Sequence, residues 1–437
     1  MPLRNWLAMV MVAALSLACW QASQGARPKD DVAELYGVFV DAVEQVQQNY
    51  VRPVTRRELM ESALRGMLGD LDPHSTYINT SQWKAFKRQI EGKFGGLGMN
   101  VEVDEDSKRL KVVAPMVGTP AYQGGIMAGD IVLEVDGTST EGLTLDKAIE
   151  LLQGQPGTPI KLQVLHEGTE KAETLTLNRA IIEVPSVMGD RRKPNDEWDF
   201  MLDPAKKIGY IRITNFIQNT VDEVKAALKE LEGQGMKGLV LDLRDDPGGL
   251  LSAAVEISDL FVESGKIVST RGRNTAEKTF EARKEGTYTG FPMAVLVNHN
   301  SASASEILAA CLQDHDRAVI VGERSFGKGS VQNILDLEDG DSVLKLTVAT
   351  YWRPSGKNIH KFKNAKDTDE WGVSPSPGLE VKLSRDEYHD WFLARRERDF
   401  LSSHNKPKAP KDGEKPKTYA DKQLDKTLAV LADKLPK

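Results

Sequence analysis

The sequence predicts an α/β protein that carries an inserted β-rich segment and a helical N-terminal element. From residue 208 onward, apolar runs of strand length alternate with helical patterns, which is typical of a largely parallel sheet covered by helices. Between residues 91 and 182, short apolar runs alternate instead with Gly and Pro, and amphipathic patterns precede them. With 437 residues, the chain is too long for one compact core.

The first 25 residues have the pattern of a secretory signal. A short positive start precedes the apolar run from Leu7 to Ala18, and small residues follow, so we expect cleavage before Ala26 and export to the bacterial periplasm. Lipidation at Cys19 is an alternative. No other segment predicts a transmembrane helix. Cys311 would be the one cysteine left in the mature chain, which excludes an internal disulfide.

Two helices are predicted before the β-rich segment. Apolar residues at helical spacing indicate the first helix over residues 32–51, and Thr55 with Glu58 forms the capping-box pattern that begins a second. The apolar stripe of the first helix suits either packing on the main body or a dimer contact.

The β-rich segment and the α/β body contain predicted elements whose bounds follow from apolar periodicity. In the β-rich segment these are strands at Leu110–Val113, Ile131–Val135 and Ile160–Leu165 and a helix at Leu145–Leu152. In the body the strands are Ile208–Ile213, Gly238–Leu243, Met293–Val297, Ala318–Val321 and Val343–Tyr351. The helices between them begin at Thr220, with Glu223 at a capping-box position, and cover Leu250–Val262 and Ser303–Leu312.

The C-terminal region is divided by composition. Residues 402–418 are rich in Lys, Pro and Ser, which predicts disorder. A short amphipathic helix is predicted from Asp421 to Leu435. That helix would pack on the body or on another subunit.

Three polar motifs follow predicted strands of the body. Residues 245–249 (Asp-Asp-Pro-Gly-Gly) follow the strand that ends at Leu243, and residues 298–306 follow the strand that ends at Val297. The loop around Lys328 follows the next strand. Sites in open α/β sheets form beyond the carboxyl ends of strands, so we expect the three motifs to converge.

Ser303 and Lys328 are the candidate nucleophile and general base. Ser303 would lie at the start of a helix, where free N–H groups favour a developing oxyanion; the alternative is a plain N-cap completed by Glu306. A lysine base must be neutral, and burial lowers the pKa of an ammonium group. We expect Phe326 and Val331 to supply an apolar wall around Lys328.

Gln332, four residues after Lys328, could hold the amine by a hydrogen bond without adding charge. A carboxylate at that position would instead stabilise the ammonium form and oppose its use as a base.

Other interpretations of the same residues are weaker. Residues 322–328 match a phosphate-binding P-loop, but Gly329 replaces the Ser or Thr that would bind magnesium, and Ser330–Leu335 has a strand pattern. His299 and His315 are nearest to Ser303 in sequence, yet neither lies in a glycine-framed loop.

Charge and spacing exclude two further roles. Asp314 lies eleven residues after Ser303 on the same predicted helix, about 16 Å along its axis, so we expect a structural role for it. The net charge of −7 gives no support to nucleic-acid binding.

These motifs resemble the carboxyl-terminal processing peptidases, or tail-specific proteases. Residues 301–306 resemble the family's serine motif and residues 326–332 its lysine motif, which implies Ser303 as nucleophile, Lys328 as base and Gln332 as its partner. Residues 241–249 resemble the segment that supplies part of the oxyanion hole. The implied donors are the N–H of Ala304 and that of Gly248 or Gly249. Relatives often carry asparagine at the positions of Asp245 and Asp246.

The β-rich segment resembles a PDZ domain, a peptide-binding module. Its carboxylate-binding loop would be Gly95, Gly96, Leu97 and Gly98. The resemblance also implies that movement of this domain gates the site, with Arg179 as a candidate link.

The resemblance implies a crotonase-like α/β protease core with an inserted PDZ domain and an N-terminal helical element. The expected domains are the signal (1–25), a helical region (26–90), the PDZ domain (91–182), the protease core (183–400) and a linker with a final helix (401–437).

The function implied is that of a periplasmic serine endopeptidase that cuts proteins at or near their C-termini and needs no cofactor or metal. Protein or peptide substrates, a homo-oligomer and an activator or adaptor are the implied partners. The alternative is a peptide-binding scaffold or a latent protease that an activator must switch on.

Overall fold

The computed structural model describes residues 31–366, 368–399 and 419–435. The predicted signal, Cys19 and the segment 402–418 lie outside these residues. The chain divides into two compact units, with the boundary between Asn79 and Thr80.

The first unit contains both predicted N-terminal helices. They are α1 (Asp31–Asn49) and α2 (Arg56–Gly69), and strand β1 (Thr76–Ile78) follows. The capping box is confirmed, because Thr55 N donates to Glu58 Oε2 at 2.7 Å and Glu58 N donates to Thr55 Oγ1 at 3.1 Å. The apolar side chains of α1 are exposed along much of its length.

The second unit begins with a helix and the β-rich insert. Its helices are α3 (Thr80–Glu91), α4 (Pro120–Gln123) and α5 (Leu145–Leu152). Its strands are β2 (Lys93–Gly96), β3 (Met99–Val103), β4 (Leu110–Pro115), β5 (Ile131–Val135), β6 (Thr138–Ser139), β7 (Pro159–Leu165), β8 (Glu173–Asn178) and β9 (Ala180–Glu183). The antiparallel sheet has the order β3-β4-β5-β7-β8, with β6 paired to β5, while β2 and β9 form a separate ribbon.

The insert has its own apolar core, in which Val112, Val132 and Leu162 are fully buried. The predicted helix and the strand β5 are confirmed residue for residue, because their apolar residues face one closed core.

The remainder of the second unit is the α/β body. Its strands are β10 (Val187–Met188), β11 (Arg191–Arg192), β12 (Trp198–Asp199), β13 (Met201–Asp203), β14 (Ile208–Ile213), β15 (Gly238–Asp242), β16 (Gly265–Arg271), β17 (Lys278–Ala282), β18 (Met293–Val297), β19 (Ala318–Gly322), β20 (Ser330–Leu337) and β21 (Ser342–Trp352). Its helices are α6 (Thr220–Gly233), α7 (Leu251–Asp259), α8 (Ala304–Asp314), α9 (Arg385–Asp399) and α10 (Lys422–Lys434).

The central sheet of the body is largely parallel, as predicted. Strands β14, β15, β18 and β19 are neighbours in that order and run parallel, and β10 and β13 pair antiparallel with β14. A second, antiparallel layer contains β16 between β17 and β21, with β20 also paired to β21. The main apolar core lies under α6, α7 and α8.

Two sequence predictions for this body were wrong in detail. Glu223 does not close a capping box, because its Oε2 accepts from Ser186 N, Ser186 Oγ and Val187 N of the neighbouring segment. Helix α7 ends at Asp259, whereas the predicted helix continued to Val262. The chain leaves the helix in a turn in which Phe261 N donates a hydrogen bond to Ser258 O. Helices α3 and α9 and strands β16 and β17 were not predicted.

Helix α10 packs on the body, which decides between the two alternatives for the C-terminal helix. Leu424 and Leu431 are buried in a cluster with Tyr210, Val240 and Leu296 on the face of the sheet opposite the main core. Within the part of the chain that the structure describes, no helix combines the length and apolarity needed to cross a bilayer.

Candidate active site

The three predicted motifs meet at the carboxyl ends of β15, β18 and β19. Ser301 Oγ donates to Leu243 O at 2.7 Å, and Ala302 N donates to Asp246 O at 2.9 Å. Phe326 N, from the lysine loop, donates to Ser301 O at 3.0 Å. The expectation that these segments converge is therefore confirmed by direct hydrogen bonds.

Ser303 has a strained backbone at the first residue before α8. Its φ of 58° and ψ of −112° are rare for a residue with a side chain, and such outliers cluster at functional sites. A Cβ at Gly248 would lie 2.8 Å from Ser303 Cβ and 2.5 Å from Ala302 O. Only glycine fits at position 248, and this close approach brings the Pro-Gly-Gly turn against the serine.

Glu306 joins the serine helix to the lysine loop. Its carboxylate is fully buried and accepts four hydrogen bonds. The donors are Ser303 N at 2.8 Å, Ser325 Oγ at 2.5 Å, Gly327 N at 2.6 Å and Lys328 N at 2.8 Å. One side chain thus fixes the backbone of both candidate catalytic residues.

Burial raises the pKa of Glu306 to about 7, although the four donors favour its ionised form. The sequence identified Glu306 only as an N-cap partner. Its second role could not be found there, because three of its donors come from a loop about twenty residues later.

Lys328 is half-buried, and its pKa lies below the usual lysine value. Burial is the largest cause, and the nearby ammonium of Lys345 lowers the pKa further, while Glu306 acts in the opposite direction. Phe326 is 50 % exposed, so the expected apolar wall does not come from that residue. The depressed pKa is nevertheless the property that a lysine base requires.

Gln332 forms its hydrogen bonds with residues other than Lys328. Gln332 Nε2 donates to Ser330 Oγ at 2.9 Å and to Thr347 Oγ1 at 3.2 Å. Among the described residues, no hydrogen bond joins Lys328 Nζ to Ser303 Oγ or to Gln332. The two loops are therefore joined, whereas no hydrogen bond joins the side chains of the candidate residues.

The glycine turn offers donors for an oxyanion. Gly248 N donates to Asp246 Oδ1 at 2.8 Å. In the described part of the chain no acceptor lies within hydrogen-bond distance of the N–H groups of Gly249 and Ala304. A Cβ at Gly249 would lie 2.1 Å from Phe216 O, so a side chain is excluded there as well.

Asp245 ties the turn to two other segments. Its φ is 57°, and its Oδ1 accepts from Asn298 Nδ2 and Asn300 Nδ2, both at 2.8 Å, and from Tyr388 OH at 3.0 Å. The aspartate carboxylate thus braces the turn against the serine segment and against α9.

Arg244, which sequence analysis did not single out, occupies a buried ionic cluster directly before this turn. Its Nη2 lies 2.6 Å from Asp242 Oδ2 and 2.9 Å from Asp421 Oδ2, and its Nη1 donates to Gln423 Oε1 at 3.2 Å. Burial opposes its charge, but the two carboxylates outweigh burial and raise the pKa of Arg244. The C-terminal segment is thereby linked to the residues that precede the site.

The structure disfavours a histidine triad and a nucleotide site. His299 Nδ1 lies 3.0 Å from Glu323 Oε2, and His315 Nε2 lies 2.7 Å from Lys266 O. Asp314 pairs with Arg353 at 2.5 Å, in agreement with the structural role expected for it. Strand β20 follows the lysine loop, where a P-loop would require a helix.

The glycine loop of the β-rich insert has free backbone donors. Leu97 is buried, and a Cβ at Gly95 would lie 2.1 Å from Gly154 O. Gly95 and Gly96 pair with β9, whereas no acceptor among the described residues lies within reach of the N–H groups of Leu97 and Gly98. Two adjacent free N–H groups suit a peptide carboxylate.

A cavity of about 1330 Å³ lies between α3, α5 and the body. Its wall includes Phe94 and Gly95 beside the glycine loop, Ile149 of α5, and Asn215 and Ile217 of the body. Phe216, between the last two residues, is hydrogen-bonded to the glycine turn through Gly248 O at 2.9 Å and Leu250 N at 2.8 Å. The cavity thus lies between the insert and the body segment that is hydrogen-bonded to the glycine turn.

Arg179 is bound within the insert. It donates from Nε to Leu152 O at 3.1 Å, from Nη2 to Leu151 O at 3.0 Å and from Nη1 to Pro159 O at 3.2 Å. These contacts cap the last carbonyls of α5, the helix that lines the cavity.

Family models of known proteins match three parts of the chain. Residues 207–369 match the family described as Peptidase family S41, residues 111–165 match the PDZ domain, and residues 12–82 match the N-terminal domain of the activating protease CtpB. The PDZ match falls within the β-rich insert, and the peptidase match contains all three loops of the site.

Curated relatives match over most of their length. The carboxy-terminal-processing protease of Bartonella bacilliformis is 38 % identical over 383 residues, covering 86 % of this chain and 85 % of that protein. The carboxyl-terminal-processing protease of Synechocystis is 37 % identical, covering 77 % and 75 %.

A solved structure, the photosystem II D1 C-terminal processing protease, is 31 % identical, with 79 % of this chain and 92 % of that chain covered and a TM-score of 0.44. Because the Bartonella relative is 38 % identical over 86 % of this chain and 85 % of its own length, the chain belongs to the carboxyl-terminal processing proteases, serine-type peptidases of family S41 that act on protein substrates.

Proposed function

We propose that Ser303 and Lys328 form the catalytic dyad of this protease. The observation that carries the proposal is the carboxylate of Glu306, which binds the backbone of both residues at 2.8 Å and so holds the two loops in one site. The strained φ of Ser303 and the depressed pKa of Lys328 support the same assignment.

The reaction is acyl transfer through a covalent intermediate. Ser303 Oγ attacks the scissile carbonyl carbon while its proton passes to the neutral amine of Lys328. The tetrahedral intermediate collapses as Lys328 returns that proton to the leaving amine, which departs with the C-terminal fragment. Water then attacks the ester, with Lys328 again accepting a proton, and the free serine is restored.

The oxyanion of this intermediate would bind the N–H groups of Gly249 and Ala304. Both donors are free of other acceptors among the described residues, whereas the N–H of Gly248 is already bonded to Asp246. Gly248 then acts by allowing the turn to approach the serine. Preorganised donors of this kind contribute about 3–4 kcal/mol each to transition-state stabilisation.

The dyad closes when substrate or a partner binds. Lys328 Nζ is not bonded to Ser303 Oγ in the described structure, and Gln332 is turned to Ser330 and Thr347. Rotation of Lys328 toward the serine would allow Gln332 to hold the amine in its reacting position. A protease that waits in this state is a latent enzyme, and an activator or adaptor would shift it to the paired state.

The PDZ domain selects the substrate by its free C-terminus. The N–H groups of Leu97 and Gly98 would bind the terminal carboxylate next to Gly95 and Gly96, and the cavity beside α5 would offer space for the peptide. Arg179 caps α5 and would transmit movement of that helix, which makes it the candidate gate.

We place the mature enzyme in the periplasm as a homo-oligomer. The signal pattern of residues 1–25 supports export, and the exposed apolar side chains of α1 support contact with a second copy. Catalysis needs no cofactor or metal in this mechanism.

The test is cleavage of a loosely folded protein with a free C-terminus, in the presence of a chelator. S303A should lose all measurable turnover and still bind a C-terminal peptide. S252A, a matched change at an exposed position of α7, should retain turnover. Full activity of S303A would overturn the dyad. A wild-type chain that binds the peptide but never cleaves it, even in a periplasmic extract, would favour the scaffold alternative.

A further inference from the structure

Asp246 is a buried carboxyl group without a counter-ion. Its side chain is 0 % exposed, its Oδ1 accepts from Gly248 N at 2.8 Å, and its Oδ2 has no hydrogen-bond partner among the described residues. The main chain of the same residue holds the serine segment, because Asp246 O accepts from Ala302 N at 2.9 Å and Ser305 Oγ at 3.0 Å. Asp246 therefore joins the glycine turn to both sides of Ser303.

The charged groups on neighbouring segments are engaged elsewhere. On its own loop, Arg244 is paired with Asp242 and Asp421, and the carboxylate of Asp245 binds Asn298, Asn300 and Tyr388. On α8, the carboxylate of Glu306 accepts hydrogen bonds from the lysine loop. Because it carries no positive charge, it cannot serve as a counter-ion for Asp246. Within the described residues, no cation lies close enough to Asp246 to lower its pKa.

An isolated buried carboxylate is far more costly than a buried neutral acid, so such a group takes up a proton instead of remaining charged. Burial raises the pKa of Asp246 well above its usual value, and the N–H of Gly248 and the hydroxyl of Ser305 only partly oppose this. Oδ1, which accepts that N–H, is then the carbonyl oxygen, and Oδ2 carries the proton.

We propose that Asp246 works as a neutral carboxylic acid that positions the glycine turn, so that the N–H of Gly249 faces the reacting carbonyl. It is a positioning residue, since it acts through Gly248 and not on the substrate. The inference rests on the proposed role of Gly249 in binding the oxyanion.

The neutral state matters for catalysis. A negative charge at Asp246 would oppose the oxyanion that forms beside Ser303, and its need for hydration would open the turn. Activity should therefore fall on the alkaline side as Asp246 ionises. Asparagine keeps a side-chain oxygen that can accept a hydrogen bond from Gly248 N, but its side chain cannot ionise. D246N should therefore remove the fall in activity on the alkaline side.

The first experiment measures kcat/KM against pH for wild type, D246N and the adjacent control D245N, each normalised to its own maximum. We expect the alkaline fall in wild type and D245N and its loss in D246N. An alkaline fall that persists in D246N would overturn the proposal.

The second experiment needs no activity. Infrared spectra of the wild-type chain labelled with ¹³C-aspartate, taken at neutral pH, should show one carbonyl band of a protonated aspartic acid. Glu306 carries no label and does not contribute to this band. Absence of the band would overturn the neutral state of Asp246.

The two experiments separate this inference from the dyad. S303A should keep the infrared band although it has no turnover. An active S303A would refute the dyad and leave the band intact, whereas a missing band with an inactive S303A would refute only the role of Asp246.

Discussion

Replacing Arg244 by methionine should destabilise the whole α/β body. Arg244 is 3 % exposed and satisfies two carboxylates, Asp242 at 0 % exposure and Asp421 at 8 %. Methionine fills much of the same volume but leaves both buried carboxylates without their ion-pair partner. Asp421 begins α10, so the loss should also loosen the helix that covers the outer face of the sheet.

Removing one partner from a buried ion pair costs about 3–5 kcal/mol, because the remaining charge is uncompensated. Here two charges are left, so about 4 kcal/mol is a conservative expectation for R244M. This is about a quarter or more of the stability of a typical domain, which is about 5–15 kcal/mol. Burial of Asp242 favours its neutral form, yet Arg244 outweighs burial and lowers its pKa.

This depressed pKa fixes the sign of the pH dependence. A carboxyl group with a lowered pKa contributes stability that is lost as the pH falls through its folded-state value. In R244M the burial of Asp242 is no longer offset, so its pKa should rise. The variant should then lose stability relative to wild type most strongly at neutral pH, and the difference should narrow under acidic conditions.

The assay is urea denaturation followed by circular dichroism, with the free energy of unfolding compared at equal m-value. R283M is the matched control, because Arg283 pairs with Asp259 at 3.5 Å while 81 % of its side chain is exposed, and such pairs contribute about 0–1 kcal/mol. The triple variant D242N/R244M/D421N, which removes all three charges, should recover part of the loss. A cost below about 1 kcal/mol for R244M would refute the reasoning.

Two further predictions concern the dyad. K345Q removes the neighbouring ammonium that lowers the pKa of Lys328, so the pH at which kcat/KM rises should move upward by a few tenths of a unit or more, and a downward move would contradict the electrostatic account. E306Q should lower kcat at least about tenfold while the circular dichroism spectrum stays native. The side-chain NH₂ of glutamine cannot accept hydrogen bonds from the backbone N–H groups of the two loops. E223Q is its control, because Glu223 is half-buried and accepts three hydrogen bonds around Ser186, and this variant should keep near-normal kcat.

Much of this architecture could be predicted from the sequence. Strands β5, β14 and β18 match their predicted bounds, because a buried strand is a short apolar run bounded by turn residues. The convergence of the three motifs also followed from a general rule on strand ends.

Other features depend on tertiary contacts that periodicity does not contain. Helix α9 is highly charged, and its stability comes from ion pairs such as Arg395 with Asp190 at 3.0 Å, over 200 residues away in the chain. Glu223 had the spacing of a capping box but binds β10 instead. The roles of Glu306 and Asp246 likewise depend on donors brought from other loops or on complete burial.

The central claim is that Ser303 and Lys328 become one catalytic unit when the site is occupied. The most direct measurement is a crystal structure of the enzyme with a peptidyl boronic acid whose sequence ends in a natural substrate tail. We predict a bond from boron to Ser303 Oγ, Lys328 Nζ within about 3 Å of that oxygen, and a boronate oxygen at a similar distance from the N–H groups of Gly249 and Ala304. A boronate bound to another residue, or a Lys328 amine that stays apart from Ser303 in the occupied site, would contradict the account.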